Sequence, residues 1–375
     1  MKKFFTMLSM ALLTVTLLTG CAGCSKNEDE EVKNTEPEEI IATDTEDTEE
    51  SKDGLARSYL SGEWIDEELA AQKPVAIMIG NTNDALPQYG LSQADVMYEA
   101  PAEGGITRLM PIFQDYSNLE RIGSVRSCRH YYAYYAMEFD AMYIHYGQAS
   151  YATDLLNSGK IEDINGLNGA VDAASFFRDK ERKAPHNAFV STEGIDAGID
   201  LLEYERKLPD DYKGHYIFNK DDEKEIELQG ETAAVVQPGY YINNPWFVYN
   251  DEDGLYYRFQ FKREHMDENT GTQLTFKNII LQYCDYTKID AQYGYLDVES
   301  TGEGTGKYIT NGKVIDVTWS KADENSPTRY FDMEGNEIVL NQGKTMVCIL
   351  LNDMESRLNI FANEDDFTPP TPSQQ

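Results

Sequence analysis

The chain has 375 residues, with 66 acidic and 32 basic side chains and a formal net charge of −34. Such a charge argues against nucleic acid as a partner, because phosphate backbones select basic faces. Roughly 300 residues remain for folded structure once the polar ends are set aside, which is room for two domains with cores of their own.

Lys2 and Lys3 precede an apolar run from Phe4 to Leu18. This is the pattern of a secretory signal, and it is shorter than the ~20 apolar residues of a membrane-spanning helix. The run ends in Leu18-Thr19-Gly20-Cys21, the form of a bacterial lipobox. Residues 1–20 are therefore expected to be a lipoprotein signal peptide. Cys21 is the expected lipidation site, with palmitate-type acyl chains holding the protein at the extracytoplasmic face of the bacterial cell membrane. The weaker alternative is an ordinary cleaved signal followed by a chance cysteine. Between residues 25 and 53 there are thirteen acidic and three basic residues and no aromatic one. Such a stretch cannot offset its ordering entropy by burial, so 21–60 reads as a disordered acidic linker.

Residues 61–218 read as an α/β domain with a partly parallel mixed sheet. "PVAIMIG" (74–80) is a continuous apolar strand, the kind buried on both faces, and "DVMYEA", "LMPIF", "AMYIHYG" and "NAFVS" are further strands. "SCRHYYAYYAME" reads as a helix with Ser127 as N-cap, and "TEGIDAGIDLLEYER" as one starting near Thr192 with Ile195, Ile199 and Leu202 on one stripe. Residues 219–362 read as a β-rich antiparallel domain, in which Asn311-Gly312 marks a type I′ hairpin turn. "TMVCILL" is a buried strand there, and residues 363–375 read as a frayed, disordered tail. Cys128, Cys284 and Cys348 lack CxxC spacing; a Cys284–Cys348 disulfide and buried free thiols both stay open.

In this acidic chain, "RIGSVRSCRH" (121–130) sets three arginines within nine residues. Placed at a helix N-terminus, Arg126 and Arg129 would be locally unfavourable by roughly 0.3–1 kcal/mol and call for a negative partner. Ligands of open α/β sheets bind beyond the carboxyl ends of parallel strands. That rule would bring Asn81, Arg126, Ser127, Arg129 and His145 to one rim, with Glu99 and Glu103 joining if their strand is also parallel. Two readings stay open. The arginines bind an anion, or Arg108, Arg126 and Arg129 pair with Glu99 and Glu103 in a buried ion network.

His186 and Asn187 stand where a loop enters a strand, and His265 and Asp267 have H-x-D spacing. Imidazole and carboxylate make usual metal ligands, but no HExxH or paired-histidine helix motif occurs, so no metal is expected. No Walker loop or GxGxxG follows "PVAIMIG" either, so no cofactor is expected. Glu103 as acid with His145 or His186 as base is a conceivable hydrolytic pair. Ser127 and Cys128 lack the glycines of a nucleophile elbow.

"NTNDALPQYGLSQADVMYEAPAEGGITRLMPIF", "ERIGSVRSCR", "DAMYIHYG" and "APHNAFVS" resemble the YerB-like family of lipoproteins from Gram-positive bacteria. "REHMDENTGTQL", "NIILQY" and "GKVIDVTWSK" resemble the same family's C-terminal domain. The resemblance covers Lys73 to Leu351. It implies an α/β domain followed by a β-rich one, a lipobox and a spacer, but no agreed activity. It also implies a small residue where this chain has Cys128, which speaks against a cysteine nucleophile, and an association with cell-wall synthesis proteins. The resulting expectation is a membrane-anchored binding protein. Its ligand would be an anionic or glycan cell-envelope component, or its partner a cell-wall synthesis enzyme; the alternative is a hydrolase of an envelope phosphoester or glycan.

Overall fold

The continuous apolar runs become the centre of one sheet. In the computed structural model, which describes residues 52–370, the strands Val96–Pro101, Thr107–Phe113, Asn278–Cys284 and Thr345–Leu351 are buried along their whole length. Strands with no polar face need cover on both sides, so they take the interior positions. The signal peptide, Cys21 and the acidic spacer up to residue 51 lie outside the described residues.

The sheet has twelve strands, and both halves of the chain contribute to it. On one side Val75–Ile77 pairs in parallel with Met142–His145, which pairs in parallel with Asp163–Asn165. Thr107–Phe113 is antiparallel to both Val75–Ile77 and Val96–Pro101. The N-terminal sheet is thus mixed, with parallel strands, as the pattern suggested. On the other side Gly302–Thr310 and Lys313–Lys321 form an antiparallel hairpin in which Thr310 faces Lys313. Its two-residue turn has φ +50° at Asn311 and +69° at Gly312, which is the type I′ geometry that matches strand twist. The strand Thr345–Leu351 joins the halves, pairing in parallel with Asn278–Cys284 and with Val96–Pro101. A second antiparallel sheet runs Arg263–Glu264, Leu255–Gln260, Trp246–Asn250, Val235–Gln237 and Asn359–Phe361.

The helix Thr192–Leu202 is capped by Ser191, whose hydroxyl accepts from the Gly194 N–H at 3.3 Å, and it buries Ile195 and Ile199. The helix His130–Met137 buries almost every side of itself. Its tyrosines remain compatible with the core because their hydroxyls find carbonyls: Tyr131 donates to Pro101 O (2.7 Å) and Tyr132 to Arg108 O (2.6 Å). An aromatic body with a satisfied polar tip is the economical way to bury tyrosine.

Several local expectations are corrected. Ser127 is not an N-cap, because the helix starts three residues later with Arg129 at the cap position and no side-chain cap. Residues 125–128 stay extended since neighbours take their N–H groups: Val125 donates to Ala188 O, Arg126 to Met78 O and Cys128 to Gly147 O, each at 2.8 Å. Arg126 and Arg129 therefore do not share a first helical turn. "PVAIMIG" divides at Met78 into Val75–Ile77 and Ile79–Asn81. The spacer expected to reach residue 60 is ordered earlier, with Leu55–Arg57 paired to Trp64–Asp66. The tail expected to fray from residue 363 instead buries Phe367 against Trp246 and Phe361. Cys128, Cys284 and Cys348 are buried free thiols.

Candidate functional site

Arg126 is held from both sides. Its N–H donates to Met78 O (2.8 Å) and its carbonyl accepts from Tyr146 N (2.9 Å), so the residue is wedged between two strands. The aliphatic stem crosses Gly80, where a Cβ would lie only 3.0 Å from Arg126 Cγ. The absence of a side chain at residue 80 is what lets the guanidinium lie there. Nη1 donates to Pro185 O at 2.8 Å. Among the described residues Arg126 makes no ion pair. Burial, with the nearby charges of Arg108 and Arg129, lowers its pKa to about 10, so it remains a cation at neutral pH.

The other two arginines converge on Glu103, in the turn that follows Val96–Pro101. Arg129 grips this carboxylate with Nε (2.9 Å to Oε2) and Nη2, and Arg108 Nη2 reaches it at 3.1 Å. Arg129 Nη1 also donates to Cys128 O at 2.8 Å. Burial alone would raise the Glu103 pKa. The hydrogen bonds from Arg129 and the charges of Arg108 and Arg129 outweigh it and hold the value at about 2. The local balance is three guanidinium charges against one carboxylate. Ser127 borders the cluster, its hydroxyl donating to Tyr146 O at 3.2 Å. Gly147, with φ +87°, leaves space for that hydroxyl, since a Cβ there would come within 3.0 Å of it.

His186 follows Pro185, the residue that binds Arg126. Its Nδ1 is buried without a hydrogen-bond partner. Burial, followed by the charge of Arg126, lowers its pKa, so the ring is neutral at pH 7. Asn187 accepts from Arg178 Nη1 at 2.9 Å, and Arg178 lies over the Tyr146 ring, 4.2 Å from its centroid. Glu103, Arg108, Arg126, Ser127, Arg129 and His186 thus belong to one neighbourhood, while the Asn187 side chain is engaged with Arg178.

The remaining expected site residues are engaged elsewhere. Glu99 does not pair with Arg108, Arg126 or Arg129; its fully buried carboxylate takes Arg258 Nη2 (2.7 Å), Asn243 Nδ2 (2.6 Å), Thr107 Oγ1 (2.7 Å) and Asn81 Nδ2 (3.1 Å). Asn81 is consequently a buried ligand of Glu99 and not a rim residue. His145 is fully buried, with Nδ1 against Gly147 O (2.8 Å) and Nε2 against Asp163 Oδ2 (3.0 Å). His265 and Asp267 do not form a metal pair. Arg258 donates to His265 Nδ1, so Nε2 carries the proton and points at Gln88. The Asp267 carboxylate accepts from the backbone of Gly90 (2.9 Å) and Ser92 (2.8 Å), tying the second half of the chain to the first. Among the described residues no three His, Cys, Asp or Glu side chains converge on one point. Cys128 is fully buried, and burial pushes its thiol up to about 12, so it has no thiolate to offer.

Sequence reasoning missed Arg258, the partner of Glu99. The signal was present: Leu255–Gln260 alternates, and its inward phase reads Tyr256, Arg258, Gln260, a charge placed where a strand faces the core.

Residues 60–205 match the family described as "Protein of unknown function (DUF3048) N-terminal domain", and residues 234–347 match its C-terminal domain. The chain is 29% identical to "Putative lipoprotein YerB" of Bacillus subtilis (strain 168) over 265 residues, which is 71% of this chain and 78% of that protein. The crystal structure of YerB protein from Bacillus subtilis is similar with a TM-score of 0.71 at 28% identity, covering 81% of this chain and 99% of that chain. With both of its halves matched in order, and a solved relative that shares their arrangement, the chain belongs to the DUF3048 family of two-domain proteins of unknown function.

Proposed function

We propose that the protein is a lipid-anchored extracytoplasmic lipoprotein that binds an anionic component of the cell envelope at the arginine cluster. The lipobox ending at Cys21 and a relative whose name calls it a lipoprotein support the anchor. Among the described residues no helix is long and apolar enough to cross a membrane. The observation that carries the binding reading is Arg126, a half-buried guanidinium with one carbonyl partner and no carboxylate among the described residues. A buried charge is costly unless paired, and a guanidinium pairs best with a planar or tetrahedral oxyanion through two N–H donors. Ser127 and His186 stand beside it as polar groups, and Arg108 and Arg129 add positive potential.

The geometry favours binding over hydrolysis. Glu103, held ionised at about 2, has no proton to give as a general acid at neutral pH. Both ring nitrogens of His145 are already engaged.

The test is thermal unfolding of the full-length protein and of Arg126→Gln with inorganic phosphate, poly(glycerol phosphate) and a peptidoglycan fragment. A ligand at 100 times its dissociation constant adds about 2.7 kcal/mol. An anionic compound is expected to raise the midpoint of the wild type and not that of Arg126→Gln. No shift with any anion, or a shift that persists in the variant, refutes the reading; a cell-wall synthesis protein would then be the partner to test.

A further inference from the structure

Eleven of the 25 tyrosines are buried, but one group stands at the surface. Tyr151 and Tyr293 are 44% and 60% exposed, and both rings pack on half-buried Tyr295, at centroid distances of 6.0 and 5.8 Å. Tyr295 in turn lies 5.1 Å from the guanidinium of Arg129, which grips Glu103. The Tyr151 hydroxyl donates to Ile289 O at 3.2 Å, and Asp290 accepts from the Gln292 and Tyr293 N–H groups at 2.7 Å, so the loop that presents the rings is braced. Beside Gly105 of the Glu103–Gly105 turn, Tyr241 is 54% exposed, its Cβ 3.7 Å from where a Gly105 Cβ would stand.

Aromatic rings grouped in water forgo about 25 cal/mol for each Å² of apolar surface left unburied, and such patches mark binding surfaces. The core of a protein interface would surround them with apolar neighbours and exclude charge. Here the loop that carries Tyr293 and Tyr295 also carries exposed Lys288 and Gln292 and half-buried Asp290. A sugar ring fits that mixture: its C–H face lies on the negative face of an aromatic ring, and its hydroxyls meet polar side chains at the rim. Resting on the anion-binding reading above, we infer that Tyr151, Tyr293 and Tyr295 form a sugar-stacking subsite continuous with the arginine cluster. The ligand class is therefore an anionic glycan several rings long, its charged group at Arg126 and its following rings on the tyrosines.

The experiment is calorimetric titration of the full-length protein with three probes: N-acetylglucosamine 1-phosphate, a tetrasaccharide 1-phosphate of the same sugar, and poly(glycerol phosphate), which has charge without rings. The tetrasaccharide should bind about tenfold tighter than the monosaccharide. Tyr293→Ala should erase that advantage while leaving monosaccharide affinity unchanged, and Tyr295→Phe, which keeps the ring on Arg129, should retain it. Equal affinity for the two sugars overturns the inference, as does an advantage that survives Tyr293→Ala. So does poly(glycerol phosphate) binding that matches the tetrasaccharide and falls equally in Tyr293→Ala. Loss of a protein partner in Tyr293→Ala with glycan binding intact overturns it too, in favour of a protein interface. The arginine reading fails separately, if Arg126→Gln leaves monosaccharide affinity unchanged while the length dependence still requires Tyr293.

Discussion

Arg258→Ala is expected to destabilise the protein by about 3–5 kcal/mol, the usual cost of leaving one member of a buried ion pair behind. Arg258 and Glu99 are both fully buried, so water cannot replace the lost guanidinium. The remaining partners of Glu99, the amides of Asn81 and Asn243 and the Thr107 hydroxyl, are neutral donors that solvate the carboxylate without cancelling its charge. Arg258 also donates to His265, so the substitution leaves an imidazole nitrogen unpartnered as well. Because the pair joins strands from opposite halves of the chain, the loss should appear as a lower midpoint of one cooperative transition. Urea unfolding followed by fluorescence measures it. The double variant Glu99→Gln, Arg258→Met should recover a large part of the loss, since replacing both charges removes the stranded one. A single-variant loss below about 1 kcal/mol would mean that the pair behaves as though exposed.

Between pH 7 and pH 5 the protein is expected to lose about 2 kcal/mol of stability. Two histidines lie buried and neutral. His215 donates from Nε2 to Glu138 and its ring stacks on Phe139 at 4.3 Å; burial lowers its pKa, more than Glu138 raises it. His265 is driven well below the ordinary value by burial, then by Arg258 and Arg263. Below pH ~6.5 the unfolded chain protonates both histidines and the folded chain resists. The unfolded state then binds more protons, and each group costs up to about 1.4 kcal/mol per pH unit. Asp95 works in the opposite direction. Burial raises its pKa to about 6, so the folded state takes up that proton first and gains stability as pH falls through 6. Two losses against one gain leave a net destabilisation. His186 is more exposed and adds little. Below pH ~4.5 Glu103 and Glu138, both with lowered pKa, release their contributions as well, and the fall should steepen. Melting at half-unit pH steps checks the profile, and His265→Asn should flatten it between pH 7 and 5 whatever its effect on absolute stability. A profile that rises on acidification would contradict the neutral state of both rings.

The features legible in the sequence are those decided within a few residues. The Asn311-Gly312 turn was readable because only residues tolerant of positive φ fit a two-residue hairpin. The helix from Thr192 was readable because Ile195, Ile199 and Leu202 recur on a 3.6-residue apolar stripe. Ser127 looked like a helix cap, yet its segment stays extended because strands on either side claim the N–H groups of residues 125, 126 and 128. Local propensity lost to tertiary hydrogen bonding. The concentration of arginines around residue 126 was likewise visible, as was Glu103 near them.

The sequence by itself determined which segments are apolar enough to be buried, where the chain turns, and that positive charge gathers at one place in an acidic protein. Only the tertiary structure decided which carboxylate meets which arginine. Glu99 was open to the arginines of its own half until Arg258, 159 positions along the chain, took it. Glu103 was then divided between Arg108 and Arg129, and Arg126 was left with a carbonyl oxygen. Periodicity and turn chemistry act through neighbouring bonds and can be read from neighbouring letters. Charge pairing acts through distance and burial, and both are set only after strands remote in sequence lie side by side.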